Sequence, residues 1–543
     1  MNIIPKLKKI DKASGEKFDL RSLKSLFIGD AFKTIRQVID GTFLDKLDIN
    51  NLSLTEDASA PSLRIIYDEK IPTEGYDLKI SKDGILIKAS DTSGALYAVQ
   101  TLRIAAKADT AAANKKYIIE CADISDSPDR AWRGLLLDVA RHFYTVGSVK
   151  KIIDLMLLHK LNVLHLHLTD DQGWRIEIKK YPLLTEIGSK REKTHIHGWK
   201  KNDDDGTPHS GYYTQDDIKD IVAYAALRGI NIVPEIDMPA HFAAAFASYG
   251  HLACRDKKVE VSWFFGGYYP MTHGIKDWNR SACIGKKTTF DFVYGVIDEI
   301  CELFPFGYFH IGGDEAPKAE WETCPDCQRL MQEQSLQNTK QLQGYFINKV
   351  NEYVKSKGKK LIAWNEVLQG HNLDNSVLIQ YWTPRADPNV PEYLKNGGKV
   401  IMSKHRSFYF DMPYSQYPLK NTFAFTPFIE GITEAYAKNI VGVEGALWTE
   451  WIGNTDKLEF QLFPRMTAAA ERAWSDDIGD YKEFLERLGD FYQIVDALDV
   501  NYAEAAVADP KNPVKRLFTT AEWYLKNQDR EYLYNKELKS GKN

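Results

Sequence analysis

Between residues 134 and 448 one pattern recurs eight times, a short and continuously apolar run followed in most cases by an amphipathic helical stretch. Apolar runs without alternation belong to strands covered on both faces, as in a parallel sheet under helices. The runs lie at roughly 134–139, 162–168, 231–236, 307–312, 361–364, 377–381, 399–403 and 441–448. Helical periodicity falls between them, for example at Val149–Leu158, Gln215–Leu227, Thr289–Leu303 and Thr339–Lys357. Eight such units predict an α/β fold, a closed (β/α)₈ TIM barrel. Upstream, the runs Leu63–Tyr67 and Gly84–Lys88 alternate as strands do, and Thr92–Lys107 is helical. The expected organisation is a small α+β domain over 1–129, the barrel over 130–500 and a charged, partly helical C-terminal tail over 501–543.

Bulk properties narrow the class of partner. The 70 basic and 75 acidic residues leave a net charge of -5, which offers no surface for nucleic acid or an anionic membrane. No apolar run approaches the roughly 18 residues of a membrane span. The opening MNIIPKLKKIDKASGEKFDL lacks a secretory pattern, and six cysteines are sparse for this length, so a reducing, cytoplasmic setting is expected. The 12 tryptophans exceed what a core usually needs, and flat rings are what a cleft uses to stack on sugars.

In a barrel of this kind the active site forms at the C-terminal ends of the strands. Those ends carry Asp138 and Arg141, Asp170 and Asp171, Glu235, Asp237 and His241, then His310, Asp314 and Glu315. Trp364 and Glu366, Trp382, Tyr409 and Asp411, and Trp448 and Glu450 follow on the later strands. Acids for proton transfer and rings for stacking at one mouth are what a glycosidase needs. Long connections at about 185–215, 250–287 and 404–439 hang over the same face.

His310-Ile-Gly-Gly-Asp314-Glu315 is the most informative string. On an extended backbone neighbouring side chains point to opposite sides, so the two acids are poorly placed to flank one glycosidic bond as acid and nucleophile. If Glu315 is the acid, the nucleophile comes from elsewhere. A 2-acetamido sugar carries one, since its amide oxygen can reach the anomeric carbon and close an oxazolinium ring.

The chain resembles glycoside hydrolase family 20, the β-N-acetylhexosaminidases, through strings spread over the barrel in family order. They are Arg133-Gly-Leu-Leu-Leu-Asp-Val-Ala-Arg141-His142-Phe143, His165-Leu-His167-Leu-Thr-Asp170-Asp171-Gln-Gly-Trp174, Pro234-Glu-Ile-Asp-Met-Pro-Ala-His241, His310 to Glu315, Ala363-Trp364-Asn-Glu366, Tyr409-Phe-Asp411 and Leu447-Trp448-Thr-Glu450. The resemblance implies an exo-acting, retaining enzyme that releases terminal β-linked N-acetylhexosamine from an oligosaccharide or glycoconjugate. It implies Glu315 as general acid and base, Asp314 as the group that orients the acetamido N–H, and Tyr409 as donor to the acetamido oxygen. Asp170 and His241 would form a relay touching Glu315. Arg141, Asp411 and Glu450 would hold the sugar hydroxyls, and Trp364, Trp382 and Trp448 would wall the pocket. On residue chemistry alone, a solvated strand end, a satisfied histidine, structural ion pairs and core packing remain open for these positions.

The loop after Asp411 shows no obvious tryptophan for a second sugar; Phe423, Phe425 or the aromatics Trp263, Phe264, Phe265, Tyr268 and Tyr269 could serve, or could be packing. Cys324-Pro-Asp-Cys327 has the spacing of half a zinc site, but no second such pair follows, so no metal and no cofactor are expected. The alternatives are a metal-dependent barrel hydrolase built on His165 and His167, and a non-catalytic sugar-binding protein. Tryptophans where further ligands would stand argue against the first, and the two acids argue against the second.

Overall fold

The computed structural model describes residues 1–11, 15–49, 52–54, 62–109, 116–198, 203–255, 259–265, 281–383, 389–526 and 528–541. Eight parallel strands close into a barrel: β1 (Trp132–Asp138), β2 (Val163–His167), β3 (Asn231–Glu235), β4 (Tyr308–His310), β5 (Lys360–Trp364), β6 (Leu378–Tyr381), β7 (Lys399–Met402) and β8 (Ile440–Leu447). The expected barrel is the observed one. Successive residues of β1 serve different cores: Leu136 faces inward with Trp364 and Ala446, while Leu135 and Leu137 join the layer under the helices. That two-sided burial explains the unbroken apolar runs. Trp132, Val163, Val233, Ile362, Leu378 and Ile401 seal the barrel floor.

The helices begin where capping chemistry places them. Thr145 accepts the Ser148 N–H at the start of Val146–Leu158, and Thr214 with Asp217 forms a capping box opening Gln215–Ala226. In the latter Ile218, Ile221 and Ala225 are buried, the i, i+3, i+7 stripe of a helix lying on a sheet.

Before the barrel, a seven-stranded mixed sheet runs in the order Lys9–Asp11, Ala122–Asp126, Tyr76–Ser81, Gly84–Ala89, Ser62–Tyr67, Ser25–Ile28, Ser53–Leu54, with helix Thr92–Ala105 packed against it. Asp126 ties this layer to the barrel floor. Its Oδ2 accepts from Lys160 Nζ (3.0 Å) and Tyr76 OH (2.9 Å), and its Oδ1 from Trp474 Nε1 (3.0 Å).

One expectation needs correction. The fourth strand is shorter than 307–312, because Gly312 (φ +72°) and Gly313 (φ +88°) turn into the left-handed region and end it at His310. The long connections carry structure of their own: the first holds two nested antiparallel ladders, Lys190–Arg191 with His209–Ser210 around His195–Ile196 with Asp203–Asp204, and the third holds helices His405–Phe408, Leu419–Phe423 and Glu434–Ala437. In the C-terminal tail Glu531 accepts the Tyr414 and Ser415 N–H groups (2.7 and 2.8 Å), which braces the loop that follows Asp411.

Candidate active site

The acid pair stands on a turn, not a strand. Glu315 itself has φ +45°, a conformation that costs a non-glycine residue on the order of 1 kcal/mol and is found where surrounding structure enforces it. Here the enforcement is visible. Gly313 N–H donates to Asp237 Oδ1 (3.2 Å), Trp364 N–H to the Gly312 carbonyl (2.9 Å) and Gln343 Nε2 to the Gly313 carbonyl (2.6 Å). A Cβ on Gly312 would lie 1.9 Å from Asp237 Oδ1, so only glycine lets the turn approach. Asp314 is consequently tucked inward with Oδ1 buried and unpaired, while Glu315 is exposed and makes no hydrogen bond or ion pair among the described residues. Extended backbone was the wrong reason for separating the two side chains; the left-handed turn separates them instead.

Asp170 is the hub of the opposite wall. Its Oδ2 lies 2.8 Å from Arg141 Nη2 and 2.9 Å from His167 Nε2, and its Oδ1 lies 3.3 Å from His241 Nδ1. Burial opposes its charge, yet Arg141, His241 and His167 together hold it well below the usual carboxylate range. His241, also at positive φ (+49°), turns its Nε2 to within 3.7 Å of Asp314 Oδ2. The relay expected to touch Glu315 therefore runs onto Asp314. Burial works against a charged His241, but Asp170, Asp237 and Asp171 raise it well above the ordinary histidine value, so it faces Asp314 as a cation. Asp314 is pushed up to about 6, by burial first and by Glu235 and Glu315 after it, against the pull of His241.

Arg141 lies with its guanidinium 5.1 Å from the Trp448 ring. Asp138 Oδ2 (3.3 Å), Asp170 and Gln172 Oε1 (3.2 Å) hold it, and Glu450 Oε1 lies 3.9 Å away. Asp411 stands near Glu450 with Oδ1 buried and unpaired; burial and then Glu450 raise its carboxyl well above the usual range. Burial raises Glu450 too, against the pull of Arg141. Two acids and a guanidinium thus converge on a small space, a set suited to adjacent hydroxyls.

Aromatic rings close the other side. Trp382 stacks on Tyr409 (centroids 5.9 Å apart, 11° between planes), Tyr409 lies 6.0 Å from Trp448, and Trp448 lies 5.9 Å from Trp364. Trp364 is fixed by its Nε1 on Glu235 Oε1 (2.8 Å) and Trp382 by its Nε1 on Glu366 Oε2 (2.8 Å). Residue reading noted Glu366 and Glu235 at strand ends without giving them a task. Their work is to orient the wall, and the only sequence signal was their place in the strings around Trp364 and His241. Burial and the neighbouring Asp314 push Glu366 up to about 8.

Every one of the eleven predicted residues, Asp314, Glu315, Tyr409, His241, Asp170, Arg141, Trp364, Trp382, Asp411, Trp448 and Glu450, stands at this mouth on or just beyond the barrel strands. The candidates for a second sugar site fare differently. Phe423 packs on Phe484 and Phe425 on Phe408, both buried, and Phe264 stacks on His195; Trp263 alone among the described ones is partly exposed. Tyr268 and Tyr269 lie outside the described residues.

His165 and His167 are held in a network of buried acids. His167 contacts Glu235 (2.6 Å) through Nδ1 and Asp170 through Nε2; His165 contacts Glu444 (2.8 Å) and Glu235 (3.1 Å). Against the effect of burial, Glu235 and Glu444 raise His165 to about 9, and Glu235 and Asp170 raise His167 well above the ordinary histidine value.

Comparison with known proteins places this chain in a family. The sequence profile of the glycosyl hydrolase family 20 catalytic domain matches residues 131–477, and that of the family's domain 2 matches residues 1–127. The chain belongs to glycosyl hydrolase family 20. A beta-hexosaminidase of Porphyromonas gingivalis is 33% identical over 92% of this chain and 64% of its own length, so the chain spans slightly under two thirds of that relative. A beta-hexosaminidase of Akkermansia muciniphila is 30% identical over 80% of this chain and 87% of its own length. The solved structure of a family 20 exo beta-N-acetylglucosaminidase from Vibrio harveyi, in complex with N-acetylglucosamine, superposes with a TM-score of 0.81 at 30% identity, covering 93% of this chain and 78% of that one.

Proposed function

We propose that the chain is an exo-acting, retaining β-N-acetylhexosaminidase that releases terminal non-reducing β-linked GlcNAc or GalNAc from an oligosaccharide or glycoconjugate through an oxazolinium intermediate. One observation carries this reading: of two adjacent acids, Asp314 is half-buried with its Oδ1 covered and unpaired, and Glu315 stands exposed at the mouth. The names of the relatives, beta-hexosaminidases, support the substrate class.

In the reaction Glu315 protonates the departing glycosidic oxygen as the acetamido oxygen attacks the anomeric carbon. Asp314 accepts the acetamido N–H, steadies the positive charge of the ring that closes, and is itself steadied by the His241 cation. Tyr409 stays a phenol, because burial and the surrounding acids raise it well above its ordinary value, and so it donates to the acetamido oxygen. Water then opens the oxazolinium ring with Glu315 as base, and the configuration is retained. Arg141, Asp411 and Glu450 fill their hydroxyl-facing atoms with the terminal sugar, which leaves no passage for a longer chain and makes the action exo.

Paired aryl glycosides with and without the 2-acetamido group test this directly. Turnover is expected only with the acetamido member, and a thiazoline mimic of the cyclised sugar is expected to inhibit far more tightly than free GlcNAc. Comparable turnover of both members, or a sugar ester trapped on a carboxylate of the protein, overturns the reading.

A further inference from the structure

The Cys324-Cys327 pair is not alone. Cys283 Sγ lies 3.6 Å from Cys324 Sγ and 3.7 Å from Cys327 Sγ, Cys254 Sγ lies 3.9 Å from Cys327 Sγ, and all four sulfurs fall within 4.8 Å of one another. None is in a disulfide, and three of the four residues are buried. A bonded pair would stand about 2.05 Å apart. Four thiolates around a tetrahedral zinc ion at about 2.3 Å stand about 3.8 Å from each other, close to the spacing of the three nearest pairs here.

The surroundings are built for such a cluster. The Gly285 N–H donates to the Cys327 sulfur, and a Cβ on Gly285 would lie 2.4 Å from Cys327 N, so that approach requires glycine. Lys286 Nζ is held beside the cluster by the carbonyls of Ala253 (2.5 Å) and His251 (3.0 Å), where an ammonium offsets the net negative charge of a tetrathiolate.

We propose that Cys254, Cys283, Cys324 and Cys327 bind one structural zinc ion. Four protein ligands leave no open position, so the ion does not take part in the sugar chemistry. Its work is to staple two loops of the mouth together. Cys254 and Cys283 close the base of the connection after β3, where Ala253 and Ala282 also form an antiparallel bridge. Cys324 and Cys327 lie on the segment that continues from Asp314 and Glu315. Ser281 Oγ donates to the Pro317 carbonyl (2.9 Å) and Trp321 Nε1 to the Ala282 carbonyl (3.0 Å), so the two loops already meet beside the cluster. At its inner end the first loop reaches the site wall, with Ser262 N–H on the Asp171 carbonyl (3.0 Å).

The test is metal content of the full chain, purified under reducing conditions without chelator. Elemental mass spectrometry is expected to find about one zinc per chain. Cobalt replacement is expected to give sulfur-to-metal charge-transfer bands and the intense visible absorption of tetrahedral cobalt thiolate. Cys283→Ser and Cys327→Ser are expected to lose the metal, and Cys121→Ser and Cys301→Ser to keep it. If the cluster variants fail to fold, the cobalt spectrum of the unaltered chain decides. Less than about 0.1 zinc per chain after zinc reconstitution, with no cobalt thiolate bands, overturns the proposal. So does a mass showing that these cysteines are oxidised to disulfides, or a stoichiometric iron centre in place of zinc.

Discussion

The two ends of the barrel are made from the same eight strands and treat charge in opposite ways. At the N-terminal end, Arg133 meets Glu74 (2.7 and 2.9 Å), Tyr97 OH (3.0 Å) and the Lys160 carbonyl (2.9 Å), and Lys160 meets Asp126 and Tyr76. Their polar atoms have partners, and the result is a fixed joint between the two layers. At the C-terminal end Asp314, Glu366 and Asp411 are half-buried acids with raised pKa values, and Asp314 and Asp411 each keep a buried, unpaired oxygen. Unmet polar atoms cost stability, and they are what a ligand can satisfy. One end holds the fold; the other is held ready.

Substitutions at each end can break that contrast. The largest effect is expected for Glu315→Gln, a loss of about 10³-fold or more in kcat on substrates with poor leaving groups and a much smaller one on activated aryl glycosides. Its melting temperature should not move, because Glu315 is exposed and unpaired; equal losses on both substrates would remove it from the acid role.

Next is Asp126→Ala at the floor. It strands the buried Lys160 ammonium and is expected to cost about 3–5 kcal/mol in urea unfolding, with kcat and KM of the folded fraction unchanged. A lower kcat in the folded enzyme would show that the two ends are coupled.

Asp314→Asn sharpens the contrast because it should act in both directions. The loss in kcat is expected at about 10²-fold or more, while stability at pH 7 rises by on the order of 2 kcal/mol. The sign follows from a folded pKa of about 6 against an ordinary 3.8: between those values the native state keeps a proton that the unfolded chain releases, so the wild type loses stability as pH rises through that window. The asparagine variant has no such loss, and urea titrations at pH 4 and pH 7 measure the gap. The same ionisation predicts that wild-type kcat/KM climbs with pH through about 6, an acid limb that Asp314→Asn should lack. An unchanged acid limb in the variant would assign it to another group.

How much of this was legible in the chain differs from element to element. The β1 and β2 runs were placed to within two residues, because two-sided burial writes itself as an unbroken apolar run. The strand before Asp314 was overextended, because Ile311 continues the apolar run while the following glycines leave the strand through a backbone angle that side-chain patterning does not report. Glu366 and Glu235 were visible at strand ends, yet their task depends on which tryptophan N–H reaches them from another strand.

Local order determined the fold class, the position of the strands and helices, and the residues that barrel closure would bring to the mouth. Only the tertiary structure decided that His241 faces Asp314 and that Cys254 and Cys283 join the pair at 324 and 327. The physical reason is range: periodicity and capping act over a few neighbouring residues, whereas these partners are separated by about 40 to 75 residues and meet only because the closed barrel sets adjacent strand ends side by side.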